Sequence, residues 1–477
     1  MAEKDLVIIG SGPGGYVAAI RAAQLGGKVT LVEKNELGGT CLNRGCIPTK
    51  VLLRGVELLE ALEGSKDFGI QAGEISVDFS RLLARKDRAV KTLVSGVAGL
   101  MKANGITVVK GQAKFISPQE IEVLAEQGGK VAYRARKIIL ATGSISADLP
   151  VSGANGPGVI DSNGALQLTQ VPESMVIIGA GPIGLEFGTI FASLGSRVTI
   201  LEMMDQILPS EDPEVASALE KSLRRFKIQT LTNCRVKEIS EGSQGKRKVV
   251  ATTGEEDKVF EAQYILLAVG RKANWEGLGL PEAGVQCNPK GIEVNERMET
   301  NVPGIYAIGD VTGQWLLAHF AMAQGAVAAE NALGHEARME RRVVPRCVYT
   351  LPEVASVGMT EKEAKAAGYE LKIGRFPFAG NGKATILGER NGFVKMVAEA
   401  KYGEILGVHI FGPHATDLIG EAVLAMHLEG TAADMARAIH PHPTLTEALM
   451  EAGLDVDGMA VHIPPRKKRI EIKGPFQ

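Results

Sequence analysis

Residues 5–15, Asp-Leu-Val-Ile-Ile-Gly-Ser-Gly-Pro-Gly-Gly, decide the fold of the N-terminal part of the chain. The apolar half of this stretch predicts a buried strand, and its glycines predict a tight turn. The residues from Tyr16 to Leu25 have helical spacing, and Lys-Val-Thr-Leu-Val-Glu at 28–33 predicts a second strand. A strand, a glycine turn, a helix and a second strand in this order are typical of an α/β dinucleotide-binding fold.

Each glycine of the turn has a separate duty in such a fold. Gly10 makes the turn tight, Gly12 lets a pyrophosphate approach the backbone, and Gly15 lets the helix pack closely on the strand. Free N–H groups at the start of the helix then face the phosphates. Glu33, 23 residues after Gly10, is placed to accept hydrogen bonds from a ribose hydroxyl. The strand, the helix and the acidic residue in register make the prediction specific.

The whole unit recurs in residues 174–203, at a constant offset of 169. Of the 30 aligned positions, 13 are identical. The closing segments match as well, because Lys-Ile-Ile-Leu-Ala-Thr-Gly at 137–143 parallels Tyr-Ile-Leu-Leu-Ala-Val-Gly at 264–270. Two such folds predict two bound dinucleotides. The alternative is that one copy holds a mononucleotide or is an empty relic.

Two of the five cysteines, Cys41 and Cys46, lie in the stretch Gly-Gly-Thr-Cys-Leu-Asn-Arg-Gly-Cys-Ile-Pro-Thr-Lys at 38–50. Such a pair can open and close as a disulfide. Because only the thiolate is reactive, the pair needs a helix N-terminus or a nearby cation, and Pro48 suits the first turn of a following helix. Two reduced structural thiols or half of a metal site remain as alternatives, although the other three cysteines stand alone.

The position of the cysteines indicates which nucleotide each fold holds. A dithiol delivers an electron pair, whereas a nicotinamide accepts hydride, and a flavin can do both. The cysteines follow the first fold directly, so we expect FAD there and a nicotinamide dinucleotide in the second fold. Glu202, the counterpart of Glu33, would repel a 2′-phosphate, and no arginine lies between Arg197 and Arg224 to neutralise one. The second nucleotide is therefore predicted to be NAD rather than NADP.

Residues 38–50 resemble the redox-disulfide signature of the pyridine nucleotide-disulfide oxidoreductases, and most of all that of the members that oxidise dihydrolipoamide. The resemblance covers nearly the whole chain. It implies that Cys41 and Cys46 form a redox-active disulfide. One departure is Arg44, where many members have an apolar residue; Arg44 could tune the potential of the cysteines, contact a partner or do neither.

The resemblance also implies which residues bind the two nucleotides. Those for FAD are Gly10, Gly12, Gly15, Glu33, Gly39, Thr40, Lys50, Thr142, Gly143, Asp310, Ala318 and His319. Those for NAD are Gly179, Gly181, Ile183, Gly184, Glu202 and Gly270. The run from Ile305 to Asp310 resembles the second flavin motif of the family, in which the aspartate meets the ribityl chain. Without the resemblance, Asp310 could be no more than a helix cap or turn former.

Lys50 and Glu186 form another candidate pair by resemblance, with Lys50 near the flavin and assisting hydride transfer. Glu186 lies among apolar residues of the second nucleotide-binding helix, where a carboxylate needs a partner or a raised pKa. The alternative is an exposed glutamate on the wet side of that helix.

The segment Ile-His-Pro-His-Pro-Thr-Leu-Thr-Glu at 439–447 provides a candidate base. Imidazole suits proton transfer in thiol exchange because its pKa lies near ~6.5. By resemblance His442 is the base and Glu447 orients its ring. Two alternatives remain: His-x-His could bind a metal, although no third ligand is apparent, and Glu447 could belong to a capping box that starts at Thr444.

The resemblance implies a complete reaction. Dihydrolipoamide, deprotonated by His442, attacks Cys41; the second thiol resolves the mixed disulfide; and Cys46 passes the electron pair through FAD to NAD. The base and the cysteines come from opposite subunits in this family, so we expect a homodimer. The lipoyl group is expected on a separate protein, either a lipoyl-bearing acyltransferase of a 2-oxoacid dehydrogenase complex or the H protein of glycine cleavage.

Glutathione and mercuric reductases share this architecture and are the nearest rivals. The former should carry NADP-selecting arginines after Glu202, and the latter usually has further cysteines near its C-terminus, whereas none follows Cys347. A flavoprotein scaffold with an idle redox centre is a rival from another class. The presence of the cysteines together with His442 and Glu447 argues against the scaffold.

Composition sets the outer limits of these interpretations. The chain has 477 residues, 45% of them apolar and 23% charged, and its net charge of -2 argues against general nucleic-acid binding. No apolar run reaches ~18 residues, and no leader precedes Asp5, so we expect a cytoplasmic protein without membrane spans. In a reducing compartment a disulfide is more often catalytic than structural. The basic residues 466–469 form either a solvated tail or a docking patch.

The predicted fold class is α/β, with two Rossmann-like domains followed by a C-terminal α+β dimerisation domain. The FAD-binding domain comprises residues 1–150 and 271–345, the NAD-binding domain residues 151–270, and the dimerisation domain residues 346–477. Within the first part, residues 56–114 have helical spacing and are expected to form a helical insertion that covers the flavin.

Overall fold

The computed structural model describes residues 3–126 and 128–464 and divides the chain into two compact units. The first unit comprises residues 1–204 and 227–341, and the second comprises residues 205–226 and 342–477, within the described ranges. The basic residues 466–469 lie outside the described residues. No helix in the described ranges is both long and apolar enough to span a membrane.

The helices and strands are numbered along the chain. Up to the end of the first closing segment they are β1 Glu3–Ile9, α1 Pro13–Gln24, β2 Val29–Glu33, α2 Gly39–Arg44, α3 Cys46–Gly64, α4 Phe79–Ala103, β3 Thr107–Ser117, β4 Glu120–Ala125, β5 Lys130–Leu140 and β6 Ser144–Ser146. The next are β7 Val159–Ile160, α5 Ser162–Gln167, β8 Ser174–Ile178, α6 Pro182–Ser193, β9 Arg197–Leu201, α7 Pro213–Leu223, β10 Gln229–Leu231, β11 Cys234–Glu241, β12 Arg247–Thr253, β13 Glu256–Ala262, β14 Tyr264–Leu267 and β15 Arg271–Ala273.

The remaining elements complete the first unit and form most of the second. They are α8 Leu280–Ala283, β16 Cys287–Asn288, β17 Gly291–Ile292, β18 Ile305–Ala307, α9 Ala318–Ala332, β19 Arg346–Val348, β20 Glu353–Gly358, α10 Glu361–Ala366, β21 Leu371–Pro377, α11 Gly382–Leu387, β22 Phe393–Glu399, β23 Ile405–Gly412, α12 Ala415–His427, α13 Ala432–Arg437 and α14 Glu447–Val456.

A parallel sheet forms the core of the first nucleotide-binding fold. Strand β1 pairs in parallel with β2 and β5, β2 pairs with β3, and β5 pairs with β18, which gives the order β3-β2-β1-β5-β18. Strand β4 adds an antiparallel connection between β3 and β5. Leu6, Val7 and Ile8 of β1 are fully buried. An unbroken apolar run such as β1 is what a central strand covered on both faces requires.

The second fold repeats this arrangement. Its parallel strand order is β10-β9-β8-β14-β7, with an antiparallel sheet of β11, β12 and β13 beside it. Strand β8 occupies the place of β1, since it pairs with β9 on one side and β14 on the other. The repeat seen in the sequence is thus a repeat of topology.

The helical interpretation of residues 56–114 is wrong at its C-terminal end. Helices α3 and α4 account for most of the stretch, but the strand β3 begins at Thr107. The run Thr-Val-Val at 107–109 is β-branched, and β3 extends the sheet by pairing with β2. Sheet pairing therefore determines the conformation of this segment.

Helix α9 brings the second part of the first fold back onto the glycine turn. A Cβ on Gly325 of α9 would lie 2.4 Å from the carbonyl oxygen of Gly14 in α1, so the two helices approach closely only because glycine occupies this position. Asp310 lies in the short 3₁₀ turn Gly309–Thr312 between β18 and α9.

The second unit is built on an antiparallel sheet with the order β19-β20-β23-β22-β21. Helices α12 and α14 pack on this sheet and bury apolar residues such as Leu418, Ile419 and Leu449. The α+β character predicted for the C-terminal part of the chain is present.

Candidate active site

Two glycines place the cysteine stretch directly against the first glycine turn. Gly38 and Gly39 have φ values of +88° and +59°, a conformation that side-chain-bearing residues rarely adopt. A Cβ on Gly39 would lie 2.6 Å from Cα of Gly12. The start of α2 therefore lies against the expected pyrophosphate-binding turn, and Thr40 follows in the first turn of the same helix.

Cys41 and Cys46, here called the thiol pair, are free thiols in the structure. Cys41 lies in α2 and is half-buried, whereas Cys46 is exposed and is the first residue of α3. The hydrogen bond between the two sulfurs, together with burial, raises the pKa of Cys41. The same hydrogen bond, aided by the charge of Lys50, lowers the pKa of Cys46 to about 7. Cys46 is thus the more acidic sulfur of the reduced pair, and Cys41 is the one that keeps its proton.

Lys50 and Glu186 lie together, as the resemblance implied. Nζ of Lys50 lies 2.9 Å from Oε1 and 2.7 Å from Oε2 of Glu186. The Glu186 side chain is 6% exposed, which excludes the alternative of a solvated glutamate. Because the charge of Lys50 lowers the pKa of Cys46 and that of Glu186 raises it, the ion pair is electrostatically linked to the thiol pair.

The first glycine turn has room for a phosphate on one side only. A Cβ on Gly10 would lie 2.3 Å from the carbonyl oxygen of Ala141, and one on Gly15 would lie 1.9 Å from that of Gly10. At Gly12 a Cβ would meet no atom within 4 Å. Internal packing therefore requires glycine at the first and third positions, and the open space at Gly12 fits a pyrophosphate.

The second glycine turn has the same distribution of space. A Cβ would lie 2.4 Å from the Ala268 carbonyl oxygen at Gly179 and 2.0 Å from the Gly179 carbonyl oxygen at Gly184. At Gly181 it would meet nothing within 4 Å. The second fold therefore fits a dinucleotide as well as the first, which argues against an empty relic.

Glu33 and Glu202 accept equivalent hydrogen bonds from backbone N–H groups. Glu33 accepts from the N–H of Ser11 at 2.8 Å and from that of Asn35 at 2.7 Å. Glu202 accepts from the N–H of Ala180 at 2.7 Å and from that of Met204 at 2.9 Å, each donor shifted by 169 residues. Because a carboxylate has about four acceptor sites, both retain capacity for a ribose hydroxyl.

The other nucleotide-binding candidates surround these turns. Thr142 and Gly143 follow β5 after one residue, and Gly270 follows β14 after two. Ile183 lies in the first turn of α6, and Ala318 and His319 begin α9. The hydroxyl of Thr142 donates to the carbonyl oxygen of Asn274 at 2.7 Å. The structure thus joins the ends of the two closing segments.

Asp310 has partners that the sequence interpretation missed. The hydroxyl of Ser144 donates to Oδ2 of Asp310, and Nε of Arg271 donates to Oγ of Ser144 at 2.7 Å. Burial raises the pKa of Asp310, against the hydrogen bond from Ser144 and the charge of Arg271. A signal was present in the sequence, because Ser144 and Arg271 each follow directly on one of the two matching closing segments.

His442 and Glu447 also lie together, within the second unit. Nδ1 of His442 is 2.9 Å from Oε1 of Glu447, and Oε2 accepts from the N–H of Thr444 at 2.9 Å. Although burial opposes it, these hydrogen bonds lower the pKa of Glu447. The proposed capping box is only half present, since α14 begins at Glu447 with Thr446 as its cap. Glu447 can therefore orient the imidazole and bind the backbone at once.

No group of three or more His, Cys, Asp or Glu side chains in the described ranges could hold a metal ion. The first unit brings together the thiol pair, Lys50, Glu186 and both glycine turns. The dyad of His442 and Glu447 belongs to the second unit.

Comparison with known proteins places the chain in a family. Residues 4–325 match the family described as pyridine nucleotide-disulphide oxidoreductase, and residues 344–453 match the dimerisation domain of that family. The chain belongs to the pyridine nucleotide-disulphide oxidoreductases. This membership confirms the predicted resemblance, the α/β fold class with its dimerisation domain, and an oxidoreductase whose cofactors are FAD and NAD.

Relatives within the pyridine nucleotide-disulphide oxidoreductases match the chain over nearly its full length. A dihydrolipoyl dehydrogenase of Bacillus subtilis (strain 168) is 44% identical over 96% of the chain and 99% of its own length. One of Thermus scotoductus is 46% identical over 97% and 99%. Among solved structures, the Cu(II) complex of the HOCl-induced flavoprotein disulfide reductase RclA from Escherichia coli is 29% identical, with a TM-score of 0.85 and coverage of 95% and 99%.

Proposed function

We propose that the protein is a dihydrolipoyl dehydrogenase, which oxidises protein-bound dihydrolipoamide to lipoamide and reduces NAD to NADH. The observation that carries the proposal is the asymmetric thiol pair at the start of α3, in a chain 44% and 46% identical over nearly its full length to two enzymes of that name. A pair in which one thiol has a raised pKa and the other a lowered pKa suits dithiol exchange, because one sulfur attacks or is attacked while the other leaves as thiolate.

The chain's own residues carry out the exchange with substrate. In the oxidised state, His442 removes the proton of one dihydrolipoamide thiol and releases it to solvent, and the resulting thiolate attacks Sγ of Cys41; the Cys41–Cys46 bond breaks, and Cys46 leaves as thiolate. His442 then removes the proton of the second substrate thiol, whose sulfur attacks the mixed disulfide and expels Cys41. Lipoamide departs, and the imidazolium returns the proton to the Cys41 sulfur. Substrate is oxidised by two electrons and the thiol pair is reduced by two.

Bound FAD supplies an acceptor for the electron pair of the dithiol, and NAD accepts that pair as hydride. Cys46 is suited to face the flavin because its lowered pKa makes it the stable thiolate of the pair. Lys50, fixed by the buried carboxylate of Glu186, places a positive charge beside that thiolate. Glu447 fixes the orientation of the His442 ring.

The residues proposed to hold FAD are those of the first glycine turn with Glu33, Gly39, Thr40, Lys50, Thr142, Gly143, Asp310, Ala318 and His319. Those proposed for NAD are Gly179, Gly181, Ile183, Gly184, Glu202 and Gly270. Open space at the middle glycine of each turn supports both assignments. We further propose the domain boundaries 1–150 with 271–345, 151–270 and 346–477.

The match to the dimerisation domain supports a homodimer. The proposed partner is a lipoyl-bearing acyltransferase or a glycine cleavage H protein, and the proposed location is the cytoplasm. Pull-down with lipoylated and unlipoylated forms of each carrier distinguishes the two partner classes.

Side-by-side assays test the proposed activity. With purified holoenzyme, lipoamide reduction by NADH should far exceed reduction of glutathione disulfide or oxidised trypanothione, and NADPH should be a poor donor because Glu202 repels a 2′-phosphate. Cys41→Ser should abolish NAD-linked dihydrolipoamide oxidation. Persistence of that activity in the variant, or a preference for glutathione disulfide, would rule out the proposal.

A further inference from the structure

The closing segments of the two nucleotide-binding folds continue into a short antiparallel ribbon formed by β6 and β15. Because residues 137–143 match residues 264–270 at an offset of 127, Ser144 and Arg271 occupy equivalent places. Ala147 N–H donates to the carbonyl of Gly270 at 3.0 Å, and Asn274 N–H donates to that of Gly143 at 2.9 Å. The two donors, Ala147 and Asn274, are 127 residues apart, and so are the two acceptors, Gly143 and Gly270. The ribbon therefore has an internal two-fold pattern.

The side chains at the two equivalent places break that pattern and interact with each other. Arg271 donates from Nε to Oγ of Ser144 at 2.7 Å and from Nη2 to the Ser144 carbonyl at 2.8 Å. Ser144, which is buried, donates its hydroxyl proton to Oδ2 of Asp310. A guanidinium cannot accept and an ionised carboxylate cannot donate, so the direction of this chain of hydrogen bonds is fixed from Arg271 to Asp310.

The hydroxyl keeps the cation one step away from the carboxylate. If Arg271 instead formed a bidentate ion pair with Asp310, its guanidinium would occupy both carboxylate oxygens. With Ser144 between them, Oδ2 is held, while no group in residues 3–126 and 128–464 makes a hydrogen bond to Oδ1. Asp310 thus keeps a fixed side chain with one acceptor available to a ligand.

We propose that Arg271 and Ser144 are positioning residues for FAD, which hold Asp310 so that Oδ1 accepts a hydrogen bond from a ribityl hydroxyl. The inference rests on the proposed contact of Asp310 with FAD. Arg271 is the first residue after the closing segment of the NAD-binding fold, and Ser144 is the first residue after the closing segment of the FAD-binding fold.

The test measures the dissociation constant of FAD for apoprotein by quenching of flavin fluorescence, at several pH values. Ser144→Ala should weaken FAD binding by about tenfold or more, as expected for the loss of a hydrogen bond to a charged group. Arg271→Met should also move the pH at which FAD affinity falls on acidification to a higher value, because the carboxylate then loses the cation that opposes its protonation. Arg271→Lys should restore part of the native profile.

Lys272→Met is the matched control. Lys272 is the next residue of the same ribbon, but its ammonium contacts the exposed Asp148, so FAD affinity and its pH profile should stay native. A second comparison removes effects of misfolding: in an Asp310→Asn background, Ser144→Ala should cost little further affinity. Equal losses in Lys272→Met and Ser144→Ala, or native FAD binding by Ser144→Ala at every pH, would overturn the inference.

The result is separable from the proposed function. Weakened FAD binding in Ser144→Ala supports the positioning role whatever disulfide the native holoenzyme reduces. Conversely, a native holoenzyme that oxidises dihydrolipoamide with NAD while Ser144→Ala binds FAD normally would contradict the positioning role alone.

Discussion

At the scale of single residues, the chemistry depends on a few charges near sulfur and imidazole. Cys46 is the more acidic thiol because the Cys41 thiol donates to it and because the Lys50 charge lies nearby. Lys50 itself is held by a carboxylate that is almost fully buried. The acidity of Cys46 is therefore the balance of a hydrogen bond and an ion pair, and each contribution can be altered separately.

Two substitutions should move the pKa of Cys46 in opposite directions. Lys50→Met removes a nearby positive charge and should raise the pKa of Cys46 above about 7. Glu186→Gln removes a negative charge and should lower it. The rate of alkylation of the reduced enzyme by iodoacetamide, followed against pH, reports the titration. Shifts of the same sign in both variants would mean that the ion pair acts through structure instead of charge.

His442→Gln should separate the two halves of the reaction. General acid–base catalysis contributes about 10²- to 10⁴-fold, so NADH-driven reduction of lipoamide should fall by a factor in that range. Reduction of artificial dyes by NADH needs no thiol exchange and should stay close to native. His414→Gln, at an exposed position in the same unit, serves as the control. A parallel loss of both activities in His442→Gln would show that the histidine is not the exchange base.

At the scale of elements, glycine positions decide where helices and turns approach each other. Gly39 is required by its positive φ and by its distance from Gly12, so it fixes the start of α2 against the glycine turn. Helix α4, by contrast, contains Gly96 and Gly99 at exposed places where a Cβ would meet nothing within 4 Å. Glycine therefore stabilises the fold at position 39, whereas in the exposed part of α4 it lowers stability.

Gly39→Ala and Gly99→Ala should therefore change stability in opposite senses. Gly39→Ala forces a side chain into the left-handed region and against Cα of Gly12, and should weaken both FAD binding and resistance to urea. Gly99→Ala should stabilise the protein by about 0.5–1 kcal/mol, because alanine restricts the unfolded chain more than glycine does. Urea unfolding of each variant measures the difference. Stabilisation by Gly39→Ala would contradict the packing described for α2.

At the scale of the whole molecule, the features that could be predicted from the sequence are those that recur along it and those that a short local pattern specifies. The two glycine turns, their acidic partners and the cysteine stretch are local, so their spacing sufficed. The bridge from Arg271 through Ser144 to Asp310 joins residues 127 and 166 positions apart, and only the folded sheet brings them together. Strand β3 was missed because its pairing with β2 depends on residues far along the chain. Residues 205–226 fall in the second unit, through buried charges that no spacing reveals.

Those buried charges form a cluster within the second unit, centred on Lys395. Nζ of Lys395 lies 2.9 Å from Asp212, 2.8 Å from Glu214 and 2.9 Å from Glu361, and Arg375 also contacts Glu214. Lys395 and Asp212 are almost fully buried. The charge cluster holds the start of α7 on the sheet, because Lys395 in β22 is the cation that compensates the buried carboxylate of Asp212.

Lys395→Met should destabilise the protein by about 3–5 kcal/mol, since it leaves the buried carboxylate of Asp212 without its cation. Lys362→Met, at an exposed place on the neighbouring helix α10, is the control and should change little.

Hydrogen bonds from Arg375 and Lys395 lower the pKa of Glu214 to about 2 from an ordinary value of 4.5. Because the folded-state pKa is the lower one, Glu214 stabilises the native protein above pH 4.5, and that stabilisation is lost as the pH falls towards about 2. Urea unfolding at a series of acidic pH values should show this loss in the native protein and a smaller one in Lys395→Met, whereas an unchanged pH dependence would mean that Arg375 alone sets the acidity of Glu214.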